Sequence, residues 1–372
     1  MGSPDRGLLR ADSPLDVTMS SSKFAVLDGM RGLAALFVVV RHTQDLWGVS
    51  FFRSYLAVDL FFILSGFVIA HAYDRKLSTR ELTPSRFMTV RLIRLYPVYF
   101  FSLALCVLVV ALEGSRNSIS DVAGIGEFVV STLLTMFFLP SVISGNLSVF
   151  PLNFPYWSLF FELVFNGVYA AVQRWLTGRV LFAVVLLTGA FTVFCSFKNE
   201  GLNAGYLWGL RSVVTGGARC FFGIFMGLLI HRYAHLVPVK SSLWTRYVPL
   251  AATCVVLASP SVPGLDWVID ALCMALVFPA CVALGGQRSS GRLDAVLLLL
   301  GAASYPIYVL HKPSGDLVHL LFDAAAIRSM APWAGLLFAT LLIAAAIALE
   351  RVYDLPVRRF LSRRLRAAPV RN

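Results

Sequence analysis

Residues 331–351 read APWAGLLFATLLIAAAIALER, and no residue from Ala331 to Leu349 carries a charge. A helix rises 1.5 Å per residue, so this run covers about 28 Å, close to the hydrocarbon thickness of a bilayer. Lipid offers no water to backbone N–H and C=O groups, so a run of this kind must close its hydrogen bonds internally, as a helix. Working outward, the same pattern recurs near 27–47, 55–74, 95–112, 127–144, 156–175, 179–197, 212–231, 246–260, 266–285 and 294–312. Across all 372 residues, 58% are hydrophobic and 14% charged, with a mean hydropathy of +0.76, a balance no soluble globular domain carries. The fold class is an all-α polytopic membrane protein.

Eleven spans would put the two termini on opposite faces. The stretch from Arg75 to Arg94 holds six Lys or Arg, and the tail from Arg351 to Arg371 holds seven, so both should be cytoplasmic. Counting back from a cytoplasmic C-terminus puts Arg288 with Arg292, Arg232 with Lys240 and Arg246, and Arg174 with Arg179 inside. It leaves 113–155 outside, with Arg116 as its only basic residue. Segment 127–144, which ends in a Pro-, Gly- and Asn-containing stretch, is then the odd one, a re-entrant or interfacial helix beneath an external cap. The expectation is about ten transmembrane helices plus this one, with both termini cytoplasmic, in a bacterial inner membrane.

The formal charge of +12 sits in short loops and the C-terminal tail, where it reads as a topology signal rather than a nucleic-acid surface. The six cysteines lie within apolar segments and show no CxxC spacing, so they read as small buried hydrophobes, not as a metal or disulfide framework. Residues 1–22 are polar and lack a signal peptide's apolar core, which predicts a disordered cytoplasmic tail. No polar stretch has room for a soluble catalytic domain, so any chemistry belongs to the bundle, residues 23–355, with 356–372 as a basic cytoplasmic tail.

An ionisable group in hydrocarbon costs at least about 2.5–3.5 kcal/mol on insertion scales, so each one points to a site, a pair or a snorkelling position. Segment 27–47 carries Arg31 and His42, eleven residues apart. At 100° per residue they return to within about 20° on one face, roughly 16 Å apart along the axis. Segment 55–74 opens Val58-Asp59-Leu60-Phe61-Phe62 and continues Leu64-Ser65-Gly66-Phe67; Asp59 is placed to pair with His42 or an arginine. Segment 156–175 begins Tyr156-Trp157-Ser158, which fits an interfacial aromatic belt. Glu162 lies a turn or more inside, as a proton acceptor or a group orienting an imidazole. In segment 294–312, Ser304, Tyr308 and His311 are spaced i, i+4, i+7 along one stripe.

These blocks, in this order, resemble the acyltransferase 3 family, which includes O-acetylases of O-antigen, exopolysaccharides, Nod factors and some macrolides. The likeness covers Leu27 to about Phe360. Its most specific element is the Arg-x10-His spacing of Arg31 and His42 behind Leu-Asp-Gly-Met-Arg-Gly, followed by Val-Asp-Leu-Phe-Phe-Ile-Leu-Ser-Gly-Phe at 58–67. Supporting matches are Arg91-Leu-Ile-Arg94-Leu-Tyr-Pro, Trp157-Ser-Leu with Glu162, Arg219 with Gly223 and Gly227, and Ser304-Tyr-Pro-Ile-Tyr308 with His311. Some members carry an additional SGNH-type domain; this chain resembles the stand-alone type.

The resemblance implies transfer of an acyl group, often acetyl, from acyl-CoA to a saccharide or lipid-linked glycan, with His42 as base and Arg31 as its partner. No resident cofactor or metal is expected. Arg86, Arg91 and Arg94 are candidates for the anionic donor, and Asp59, Glu162, Trp157, Arg219, Tyr308 and His311 complete the candidate set. A competing pattern, His311-x4-Asp316, matches glycerolipid acyltransferases as a single short motif. The rival function is a transporter or flippase of a lipid-linked sugar, in which buried charges form a substrate path. No internal duplication supports it.

Overall fold

The computed structural model describes residues 24–114, 124–141, 147–236, 242–286 and 292–367. The expected tail at 1–22, Arg116, Lys240, Arg288 and the last five residues lie outside the described residues. In chain order the helices are α1 (Ala25–His42), α2 (Gln44–Trp47), α3 (Ala57–Ser78), α4 (Pro84–Gly114), α5 (Ile125–Met136), α6 (Tyr156–Val172), α7 (Gly178–Lys198) and α8 (Leu210–Tyr233). Then come α9 (Leu243–Ala258), α10 (Asp266–Leu272), α11 (Phe278–Gly285), α12 (Asp294–Leu321), α13 (Ala324–Ser329), α14 (Trp333–Leu349) and α15 (Leu355–Ala367). Single π turns join α10 to α11 and α14 to α15. Among the described residues there is no strand, only an isolated bridge between Ser148 and Leu207.

Each apolar segment of the sequence contains a helix, and among the described residues seven helices are long and apolar enough to cross a membrane. The protein is a multi-pass integral membrane protein. Helices α1, α6 and α9 pack into the same bundle, but α1 carries charges at both ends and the others have 17 and 16 residues. Helix α5 has 12 residues, about 18 Å, too short to cross alone.

Two helices run past their apolar cores. The 75–94 stretch is not a loop: α3 continues to Ser78 and α4 starts at Pro84, so Arg86, Arg91 and Arg94 project from the first turns of α4. The tail is helical to Ala367 as α15. Hydropathy reports only the apolar part of a helix, whereas α4 starts at Pro84, the first helical position, which proline favours.

Close helix approach fixes the frame. A Cβ on Gly66 would collide with the Ile224 carbonyl, and one on Gly227 with the Ile63 carbonyl, so α3 and α8 meet backbone to backbone. At one end of the bundle the last turns of α3, α6 and α8 converge on Asp74, which takes hydrogen bonds from Arg232 (3.0 Å), Tyr169 (2.8 Å) and Gln173 (3.2 Å). At the other end the C-terminus of α1 meets the first turns of α3 and α6. A cap covers this end: the Val149 amide donates to the Tyr206 carbonyl (2.9 Å) and the Trp208 indole to the Ser141 carbonyl (2.8 Å).

Candidate active site

The stripe on α12 turns toward α1 and α6. Ser304 accepts from Arg31 Nε (2.9 Å), the Tyr308 and Ser158 hydroxyls meet at 2.7 Å, and His311 Nε2 lies 2.8 Å from His42 Nδ1. The two imidazole planes lie within 15° of parallel, with centroids 4.9 Å apart. His311 is fully buried, while His42 faces a cavity and packs against the edge of Phe154. A proline fixes α12 here. Pro313 has no N–H, which frees the Val309 carbonyl four residues back, and Ser102 Oγ (2.5 Å) and Asn153 (2.9 Å) donate to it.

The cavity at His42 has a volume of about 270 Å³, and Trp157, Arg219 and Tyr308 line it as well. Arg219 is fully buried and gives Asp59 two hydrogen bonds (2.9 and 2.6 Å), with further donors on the carbonyls of Ala204 and Tyr55. Such a pair repays its desolvation only when both ions are fully satisfied, as here. Asp59 therefore belongs to Arg219, not to His42. The Trp157 ring lies under the Arg219 guanidinium, 5.4 Å from it. An interfacial belt at Tyr156 and Trp157 does not form, because both rings are interior: Tyr156 packs on Tyr99 and donates to Ser102 (2.8 Å), and Trp157 packs on Phe62.

A second cavity, about 120 Å³, lies toward the Asp74 end and is lined by Arg31, Arg91, Arg94, Glu162 and Ser304. Tyr308 lines both. Glu162 accepts from Arg91 and from Ser65, each at 2.6 Å, so it does not meet an imidazole. Arg94 makes no ion pair among the described residues. Arg86 lines neither cavity, two turns further out along α4. A third cavity of about 430 Å³ continues outward past Arg31 and Arg94 to Glu350, Asp354 and Arg358.

Arg31 is a tie between helices. It donates to Asp28 (2.7 Å), to the Gly301 carbonyl (2.8 Å) and to Ser304, so α1 is clamped to α12. Arg31 and His42 thus serve different cavities, three helical turns apart. The His311-x4-Asp316 pattern does not assemble, since Asp316 is held by Lys312 (2.7 and 2.5 Å) and His311 by His42.

Several wall residues were not singled out in the sequence. Tyr55 donates to Asp270 (2.6 Å), Asp270 also accepts the Leu202 amide (2.8 Å), and buried Arg53 pairs with Asp266. Asp270, a carboxylate inside segment 266–285, met the criterion applied to Asp59 and Glu162. The cap residues Phe154 and Tyr206 carry no local signal, because only the tertiary fold brings them to the cavity.

The acyltransferase domain family matches residues 24–350. The chain belongs to the acyltransferase 3 family. It is 44% identical over 161 residues to protein 2 in the picA locus of Rhizobium radiobacter, covering 41% of this chain and 82% of that protein. It is 27% identical over 163 residues to the exopolysaccharide production protein ExoZ of Rhizobium meliloti (strain 1021), covering 41% of this chain and 47% of ExoZ. No solved structure matches the chain. Membership of the acyltransferase 3 family decides for a membrane O-acyltransferase over a transporter.

Proposed function

We propose that this O-acyltransferase moves an acyl group, acetyl in the first instance, from acyl-CoA to a hydroxyl of a saccharide on a lipid-linked or polymeric glycan. The observation that carries the proposal is the pair of cavities meeting at Tyr308, with His42 in one and three arginines in the other. The CoA nucleotide is polyanionic, and Arg94 offers it donors that no carboxylate among the described residues uses. In the His42 cavity, aromatic walls (Phe154, Trp157) with a few polar groups (Gln44, Asn203) suit a sugar ring. The similarity to ExoZ, an exopolysaccharide production protein, supports an acceptor of this class.

In the proposed mechanism the proton between the imidazoles resides on His42 Nδ1 and is donated to His311 Nε2. His42 Nε2 then keeps its lone pair for the cavity. As the acceptor oxygen attacks the thioester carbonyl carbon, its proton passes to Nε2, a role for which imidazole is suited near neutral pH. The C–S bond breaks and the thiolate takes the proton from Nε2, leaving an ester and free CoA thiol. Arg31 holds the cytoplasmic mouth through Asp28 and α12. Arg91 and Glu162 hold each other across the donor cavity.

The seven apolar helices together with α1, α6 and α9 make ten spans, with both termini cytoplasmic in a bacterial inner membrane. Helix α5 then lies at the outer face beneath the cap. Basic residues such as Arg232 and Arg174 at the Asp74 end fit the cytoplasmic side. Acyl-CoA is a co-substrate, and nucleic acid has no part. The test is transfer of label from [14C]acetyl-CoA to glycans of the producing cells by protein in nanodiscs. Ester-linked acetyl on glycan is expected; protein that binds acyl-CoA yet labels no glycan would overturn the proposal.

A further inference from the structure

The cavity at His42 contains a cation that no carboxylate among the described residues neutralises. Arg41, next to His42 in the last turn of α1, gives one N–H to the Phe52 carbonyl (3.1 Å), and its guanidinium lies over the Tyr55 ring, 5.2 Å from the centroid. It forms no ion pair among the described residues. Among the described residues, no Asp or Glu lines this cavity. Neighbouring carboxylates have other partners: Asp59 is taken by Arg219, Asp270 receives the Tyr55 hydroxyl and the Leu202 amide, and Asp45 pairs with His319 (3.1 Å). Arg219 also reaches this cavity, but its charge is matched by Asp59.

The Arg41 side chain is thus fixed at one corner and on one face, with the rest of its donor fork free beside the proposed base. A guanidinium held in this way binds a planar anion in bidentate fashion and loses little side-chain entropy in doing so. A neutral saccharide would leave that charge without a counterion in a cavity walled by Phe154, Trp157 and Tyr55. We infer that the acceptor is anionic, presenting a carboxylate or phosphate group that Arg41 binds while the hydroxyl to be acylated lies at His42. This rests on the proposed glycan acceptor and adds its charge. Two sources supply such a group: an acidic sugar residue, or the phosphate of a lipid carrier.

The test uses full-length protein in nanodiscs with [14C]acetyl-CoA and three probe pools from the producing cells. These are water-soluble glycan oligosaccharides separated by anion exchange into acidic and neutral fractions, and solvent-extracted lipid-linked saccharides. Label in the acidic fraction identifies a sugar carboxylate, and label confined to the lipid-linked pool identifies the carrier phosphate. In either case Arg41→Gln should raise the acceptor KM at least tenfold with kcat and acyl-CoA binding preserved. Arg41→Lys should recover part of the loss, which separates a binding role from a folding defect. Label in the neutral fraction, or an acceptor KM unchanged in Arg41→Gln, overturns the inference. Absence of label from all three pools overturns the proposed glycan acceptor itself.

Discussion

His42 Nδ1 and His311 Nε2 lie 2.8 Å apart although 269 residues separate them, and one of the two rings is fully buried. A buried imidazole that touches only the back of a cavity-facing one can fix its tautomer and orientation without touching substrate. His311→Ala should lower kcat by about 10- to 100-fold, the range for losing the orienting partner of a functional histidine at metal sites. KM for acyl-CoA should stay near wild type. Steady-state kinetics on matched amounts of monodisperse protein check this split.

Arg91 and Arg94 are one helical turn apart and should fail differently. Arg91→Ala leaves Glu162 in the bundle with only Ser65 as partner. Breaking a buried pair costs about 3–5 kcal/mol, so this variant should lose thermal stability. Arg94 has no such partner to strand. Arg94→Ala should fold normally and raise KM for acyl-CoA by roughly tenfold or more, since a charge-assisted hydrogen bond contributes about 1.5–3 kcal/mol. Melting curves and donor kinetics on both variants test the contrast.

The Asp59–Arg219 pair gives a third expectation. Either Asp59→Asn or Arg219→Gln alone strands a buried charge and should reduce the yield of folded protein sharply. The double variant removes both charges and should recover part of the yield. Size-exclusion profiles of the three variants in detergent check this.

Much of this was legible in the sequence, because the bilayer restricts the chain to helices and makes each buried charge conspicuous. The Ser304, Tyr308 and His311 stripe could be read at helical spacing, and so could the shared face of Arg31 and His42. Partnerships were less legible. Asp59 has His42 and several arginines within plausible reach, and only the backbone contact of α3 with α8 at Gly66 and Gly227 brings it to Arg219. Glu162 meets Arg91 because α4 begins at Pro84, eleven residues before the apolar segment that hydropathy detects. Tyr156 and Trp157 carry the composition of an interfacial belt, but the cap over α6 buries them.

Orientation can be tested on two exposed positions. Leu147 lies in the cap and Thr79 in the turn between α3 and α4. In intact cells an impermeant maleimide should label Leu147→Cys and spare Thr79→Cys until the membrane is permeabilised. The opposite pattern would invert the proposed topology, and labelling of both before permeabilisation would put Thr79 and Leu147 on the same face, with segment 127–144 crossing as well as α4.

The central claim is that His42 is the base and takes no part in holding the donor. The most direct measurement is acyl-CoA binding and acyl transfer by His42→Ala, made side by side with wild type on equal amounts of folded protein in nanodiscs. Loss of a general base lowers the rate by about 10² to 10⁴. The account predicts a transfer rate reduced by that factor with the dissociation constant for acyl-CoA within about twofold of wild type. Transfer near the wild-type rate, or loss of acyl-CoA binding in proportion to the loss of rate, would contradict it.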